Sequence, residues 1–186
     1  DVYKRQSFPK AARARSRMSP RSFIPDPVLA ESYEGRLNQV AECSLGEGLE
    51  QLLDALIQGE EAQGDPAIGG LAEAFAYWRL TRHHEALQRL DKLESFLQSD
   101  ARYWMLRGMV CKQLPQGGSQ ALQAYRQAIA LDGSRADLHY NLANLLRDSD
   151  PASSEKAYRR SLQLGPSQPA CWHNLGALLF DQQRFS

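Results

Sequence analysis

The chain has 186 residues, 42% of them hydrophobic, enough to bury a core of one domain's size. Its 22 basic and 22 acidic residues cancel, so no overall field steers it toward nucleic acid or a membrane surface. Three widely spaced cysteines, Cys43, Cys111 and Cys171, fit neither a disulfide framework nor zinc-ligand pairs and read as free thiols of a reducing compartment, the cytoplasm.

Residues 1–25 predict a disordered basic tail. Lys4, Arg5, Lys10, Arg13, Arg15 and Arg17 oppose Asp1 alone, and without residues 1–17 the body carries 16 basic against 21 acidic residues. DVYKRQ at 1–6 back-translates to GAT-GTG-TAT-AAG-AGA-CAG, which resembles the transposase end used to build sequencing libraries. On that reading residues 1–6 are not protein, 7–17 are untranslated, and Met18 is the start. An Arg-rich, acid-poor transit peptide over 7–18 and a basic RNA-binding arm are the alternatives. The start lacks the apolar stretch of a secretory signal, no run approaches the ~20 apolar residues of a membrane span, and no Asn-x-Ser/Thr acceptor occurs.

Residues 26–66 predict a helical pair. Asp26-Pro27 reads as N-cap and first helical position of a helix running to about Cys43. Ser44-Leu45-Gly46-Glu47 reads as a capping box ahead of Leu49, Leu52, Leu53, Leu56 and Ile57, an apolar stripe that ends before Gly64-Asp65-Pro66. The pair is either an N-terminal cap or a worn repeat.

From 101 onward the chain repeats. ARYWMLRGMVCKQL at 101–114, ADLHYNLANLLRD at 136–148 and PACWHNLGALLFDQQRF at 169–185 each carry apolar residues at helical spacing around a small residue: Gly108, Ala143 and Gly176, 35 and 33 apart. Between them, Tyr125 and Tyr158, Ala128 and Ser161, and Gly133 and Pro166 are each 33 apart. Small residues let helices approach closely. Gly133, Gly165 and Pro166 stop the second helix of each pair. One pair cannot bury its own stripe, so pairs must stack.

A period near 34 residues, with Trp104 and Trp172 early and Ala121, Tyr125 and Ala128 late, resembles the tetratricopeptide repeat (TPR) family. The resemblance implies an all-α fold, an α-solenoid of antiparallel helix pairs over 67–186. Its units are 67–100, 101–135, 136–168 and 169–186. The first is degenerate, with Ala74 as the small residue, Tyr77 nine residues before Ala86, and helices near 67–80 and 84–98. A continuous helix through Arg82–His84 is the alternative there. The last unit holds only its first helix and the turn at Phe185-Ser186. The chain therefore reads as a fragment in which Trp172, Leu175, Leu178 and Leu179 lack one packing surface.

In this family the first helices line an inner groove that holds an extended peptide or a partner helix. Carried over, the groove residues are Arg102, Met105, Met109 and Lys112, then Asp137, Tyr140, Asn141, Asn144 and Arg147, then His173, Asn174, Ala177 and Asp181. Asn141 and Asn174 each precede Leu and then the small residue, similar to the asparagine ladder in the TPR region of O-linked sugar transferases. A carboxamide donates and accepts at once, which suits a peptide main chain. Leu106 interrupts the ladder. Arg102, Lys112 and Arg147 would receive carboxylates of a bound peptide.

No phosphate loop, dinucleotide fingerprint, HExxH or GxSxG occurs. His83-His84 has no further ligand at metal spacing and reads as a surface turn. Cys171 and His173 do not face each other on one helix, so Cys111 and Cys171 read as packing residues. Lys156, Arg159 and Arg160 read as a solvated outer face. The expected function is a non-enzymatic protein-interaction scaffold needing no cofactor or metal, with a protein or peptide partner and no nucleic acid or membrane. The alternative is the N-terminal substrate-recognition arm of a larger glycosyltransferase of the O-linked GlcNAc transferase or SPINDLY type. Self-association through the groove is a third reading.

Overall fold

A computed structural model of the chain describes residues 33–63 and 66–182; the basic tail, the Asp26-Pro27 helix start, Gly64-Asp65 and Phe185-Ser186 lie outside them. Among the described residues the secondary structure is helical throughout, in the order α1 Tyr33–Glu42, α2 Glu47–Gln63, α3 Pro66–Arg79, α4 His83–Leu97, α5 Ala101–Gln113, α6 Gly118–Leu131, α7 Ala136–Leu146, α8 Pro151–Leu164 and α9 Pro169–Asp181. The chain divides into two compact units, one ending at Leu93 and the other beginning at Glu94.

In the first unit α3 packs on both α1 and α2. Leu37, Val40, Leu49, Leu53, Leu71, Phe75, Leu90 and Leu93 belong to its buried apolar set. Arg79 ends α3 and closes α1: its guanidinium donates to the carbonyl oxygens of Val40 and Cys43, the latter at 2.8 Å. These are carbonyls that a helix end leaves without partners. The expected capping box is not formed. Gly46 adopts φ 101°, the left-handed region glycine favours, so the helix starts at Glu47, two residues later than a Ser44 cap implies, and the Gly46 carbonyl accepts from Leu49 and Glu50.

The chain does not run through Arg82–His84 as one helix. Arg82 N–H bonds the Tyr77 carbonyl and Thr81 N–H bonds that of Trp78, with Thr81 at φ 61°. This is the Schellman end of a helix, with threonine where glycine is usual. Helices α3 and α4 thus fall within a residue or two of the expected 67–80 and 84–98. Across them Glu73 and Arg89 pair at 2.7 Å with both side chains largely buried.

In the second unit α5 pairs with α6 and α7 with α8; α7 also packs on α6, and α9 on α8. Asp100 caps α5 by accepting from Arg102 N–H at 2.8 Å, and Asp150 caps α8 by accepting from Ser153 N–H at 3.0 Å, with Pro151 at the first turn. The repeat landmarks meet where the period places them. A Cβ on Gly108 would sit 2.6 Å from the Tyr125 ring, so only glycine lets α6 come this close. The next pair substitutes Ala143 and Tyr158, both fully buried in one cluster with Tyr140, Leu162, Cys171, Leu175 and Leu178. Where α6 carries Ala121 and Ala128, α8 carries Ser154 and Ser161. Both hydroxyls are buried and satisfied, donating to the carbonyls of Ala143 (2.8 Å) and Ala136 (2.7 Å) on α7. Gly165 ends α8 at an ordinary negative φ. Its lack of a side chain matters because a Cβ there would lie 2.9 Å from Gln168 Nε2, whose amide caps the Gly165 carbonyl.

Candidate peptide-binding groove

The expected groove residues lie on α5, α7 and α9 and at their ends. Met105, Met109, Tyr140 and Asn141 are buried; Arg102, Lys112, Asp137, Asn144, Arg147, Asn174 and Ala177 are half-buried; His173 and Asp181 are exposed. Helix α5 touches α7, and α7 is linked to α9 by side-chain bonds.

The charged members already have partners within the chain. Arg102 pairs with Asp100 at 3.0 Å, Asp137 with Arg135 at 2.6 Å, and Arg147 with Asp181 at 2.9 Å. Arg135, outside the expected set, also reaches Met105 Sδ on α5 at 3.6 Å. A carboxylate entering here would have to compete with a resident one.

The two asparagines that the repeat makes equivalent stand in different surroundings. Asn141 is 8% exposed and has no side-chain hydrogen bond among the described residues. The Asn174 amide nitrogen donates to Asn144 Oδ1 at 2.8 Å and to the Tyr140 hydroxyl at 3.2 Å. Asn144 Oδ1 accepts a second bond, from the Tyr158 hydroxyl at 2.6 Å, while Asn144 Nδ2 is buried with no partner among the described residues. Burial pushes the Tyr158 phenol up to about 12, the neighbouring Tyr140 adding to it and Arg147 and Asn174 opposing, so it remains a proton donor at any ordinary pH. Tyr158 was legible as a packing aromatic only; nothing in its spacing announces that its hydroxyl reaches through to α7.

Other residues of interest stand apart. Cys171 is fully buried, its Sγ 3.6 Å from the Tyr158 carbonyl, with burial raising the thiol, while His173 faces solvent. Cys111 is equally buried. His83 opens α4, and burial lowers its imidazole, with the charge of His84 adding. Among the described residues no three His, Cys, Asp or Glu side chains gather as a metal would require. Lys156, Arg159 and Arg160 lie on α8, Arg159 and Arg160 exposed, with Arg159 pairing with Glu155 at 2.9 Å. No described helix is long and apolar enough to cross a membrane. On α9, Trp172 is 56% and Phe180 66% exposed, and a Cβ on Gly176 would meet nothing within 4 Å.

No known family profile and no curated protein matches the chain. Solved structures do. TTC0263, a thermophilic TPR protein of Thermus thermophilus, superposes with a TM-score of 0.67 at 15% identity, over 82% of this chain and 84% of its own. MamA from Desulfovibrio magneticus RS-1 gives 0.66 at 18% identity, over 81% and 85%. PcrH in complex with the chaperone binding region of PopD gives 0.50 at 20% identity, over 76% and 94%. The chain therefore has the all-α fold of a tetratricopeptide-repeat solenoid.

Proposed function

We propose that the chain is a protein-interaction module whose face of α5, α7 and α9 holds an extended segment of a partner protein. The observation that carries the reading is Asn141 on α7: its side chain has no hydrogen-bond partner among the described residues, although the residue as a whole is only 8% exposed. Its amide nitrogen and oxygen keep contact with solvent and can meet both a main-chain carbonyl and an N–H of a bound segment. The flanking arginines Arg102 and Arg147, with Lys112, supply cationic ends for carboxylates of that segment once their resident acids give way. PcrH, of similar fold, was solved holding a region of PopD, and that supports a polypeptide ligand. Three free thiols, two of them buried, fit a reducing compartment, and we place the protein in the cytoplasm.

The test is to pan the full chain against a phage-displayed library of random peptides and titrate the strongest binder by fluorescence anisotropy. Asn141→Ala and Arg147→Ala are each expected to weaken it about tenfold or more with the helical circular dichroism unchanged. Binding retained with both residues changed would overturn the groove. A binder that competes with the protein's own concentration-dependent association would instead point to a second copy as occupant.

A further inference from the structure

Counted along the repeats, Phe180 stands 33 residues after Arg147, which itself stands 35 after Lys112, the same intervals that separate Gly108, Ala143 and Gly176. Two cations of one groove row thus give way to an aromatic on α9. In the neighbouring row Met109 and Asn144 are followed by Ala177. A lone exposed apolar side chain carries no meaning in itself; the place of this one does. At about 100° per residue, α9 turns Cys171, Leu175 and Leu178 into the buried cluster with Tyr158 and Leu162 of α8. Next around the helix come Asn174 and Asp181, which reach α7 at Tyr140 and Asn144 and at Arg147. Ala177 and His173 follow, and then Phe180, opposite the buried stripe and 66% exposed. The Ala177 methyl is the smallest side chain of its row, so α9 has a shelf where α5 and α7 carry Met109 and Asn144. That shelf lies between the Arg147–Asp181 pair and the Phe180 ring.

We infer that Phe180 is a specificity residue of the groove: with Ala177 as the floor, it seats a large apolar side chain of the bound segment, beside the carboxylate that Arg147 receives. The inference rests on the groove being the binding face. The chemistry of the row sets that of the partner. Lys112 and Arg147 attract carboxylates, whereas a phenyl ring offers apolar contact and gains when water leaves it. Packed helices lie about 8–10 Å apart, and an extended chain advances ~3.3 Å per residue. A segment crossing from α7 to α9 therefore carries its apolar side chain about two or three residues from its acidic one. The occupant is a polypeptide with Asp or Glu and, at that interval, Leu, Ile, Met or an aromatic. A wholly acidic segment would leave the Phe180 ring in water, and a wholly apolar one would leave the Arg147–Asp181 pair undisturbed.

The full chain is panned with phage-displayed random peptides, once as the wild type and once as Phe180→Lys, which puts the α5 residue in that place. Wild-type binders should share an apolar residue at that interval from Asp or Glu, and Phe180→Lys should select a second acid instead. In anisotropy titrations, exchanging that apolar residue of the strongest wild-type binder for Ala should weaken it about tenfold against the wild type and less than about threefold against Phe180→Lys. Ala177→Met, which fills the shelf as α5 does, should weaken the intact peptide about tenfold with the helical circular dichroism unchanged. For a peptide that depends on Asn141, an alanine penalty equal in the two proteins, or binding unmoved by Ala177→Met, overturns the inference and leaves the groove standing. No enriched peptide, or one indifferent to Asn141→Ala, defeats the groove itself, and this inference with it.

Discussion

Gly108 and Gly176 occupy the same place in the repeat and face opposite surroundings. At Gly108 a methyl would drive into the Tyr125 ring at 2.6 Å; at Gly176 it would meet open space. Gly108→Ala is therefore expected to lower stability by about 1–3 kcal/mol through overpacking, and Gly176→Ala to raise it by up to ~1 kcal/mol through helix propensity. Urea melts of the two variants check both signs. Equal effects would mean that the small residue serves backbone conformation and not close approach. Sequence reasoning made these glycines equivalent because spacing records the position of a residue in its repeat, not what lies across from it. The same holds for Asn141 and Asn174: both are visible in the Asn-Leu-small motif, yet whether an amide is free or engaged depends on residues 30 to 34 positions away.

At the scale of the helix, caps and periodicity agree with each other, and the elements follow. Helices α5, α7 and α9 start where the apolar stripes start, and they end within a few residues of the expected limits. The capping box at Ser44 is the exception, because a left-handed glycine inside the motif moves the helix start past the serine. Packing of α8 on α7 adds a titration that no motif foretells. The Tyr158 phenol, neutral when protonated, is pushed up to about 12 in the native chain, against roughly 10 unfolded. Between those values the unfolded chain has released a proton that the native chain still holds. Stability from this group is thus complete below about pH 10 and is lost as pH rises through about 12, by on the order of 2–3 kcal/mol. Between pH 9 and about 11.5 the denaturant midpoint should fall further for the wild type than for Tyr158→Phe. Parallel slopes would show that the hydroxyl is not held as described.

For the whole molecule, formal charge is balanced, and several of the described arginines pair with carboxylates. Arg82–Glu85, Arg147–Asp181 and Arg159–Glu155 each leave one or both partners substantially exposed, and such pairs contribute about 0–1 kcal/mol. Raising salt from about 0.05 to 0.5 M is accordingly expected to move the melting temperature by less than about 3 °C. A larger shift would locate structural energy in these pairs. The all-α repeat fold was legible before any coordinates because it is written twice, once in the 33-residue spacing of small and aromatic residues and again in the glycine and proline stops. Stacked repeats draw their order from neighbours close in sequence, so local pattern suffices. The state of the groove was not legible. Which charges are already neutralised, which asparagine is free, and that a tyrosine of the outer layer reaches an amide of the inner one, all depend on side chains from successive helices converging in space. Periodicity carries backbone arrangement; only packing decides which polar atoms find each other and which are left to a partner.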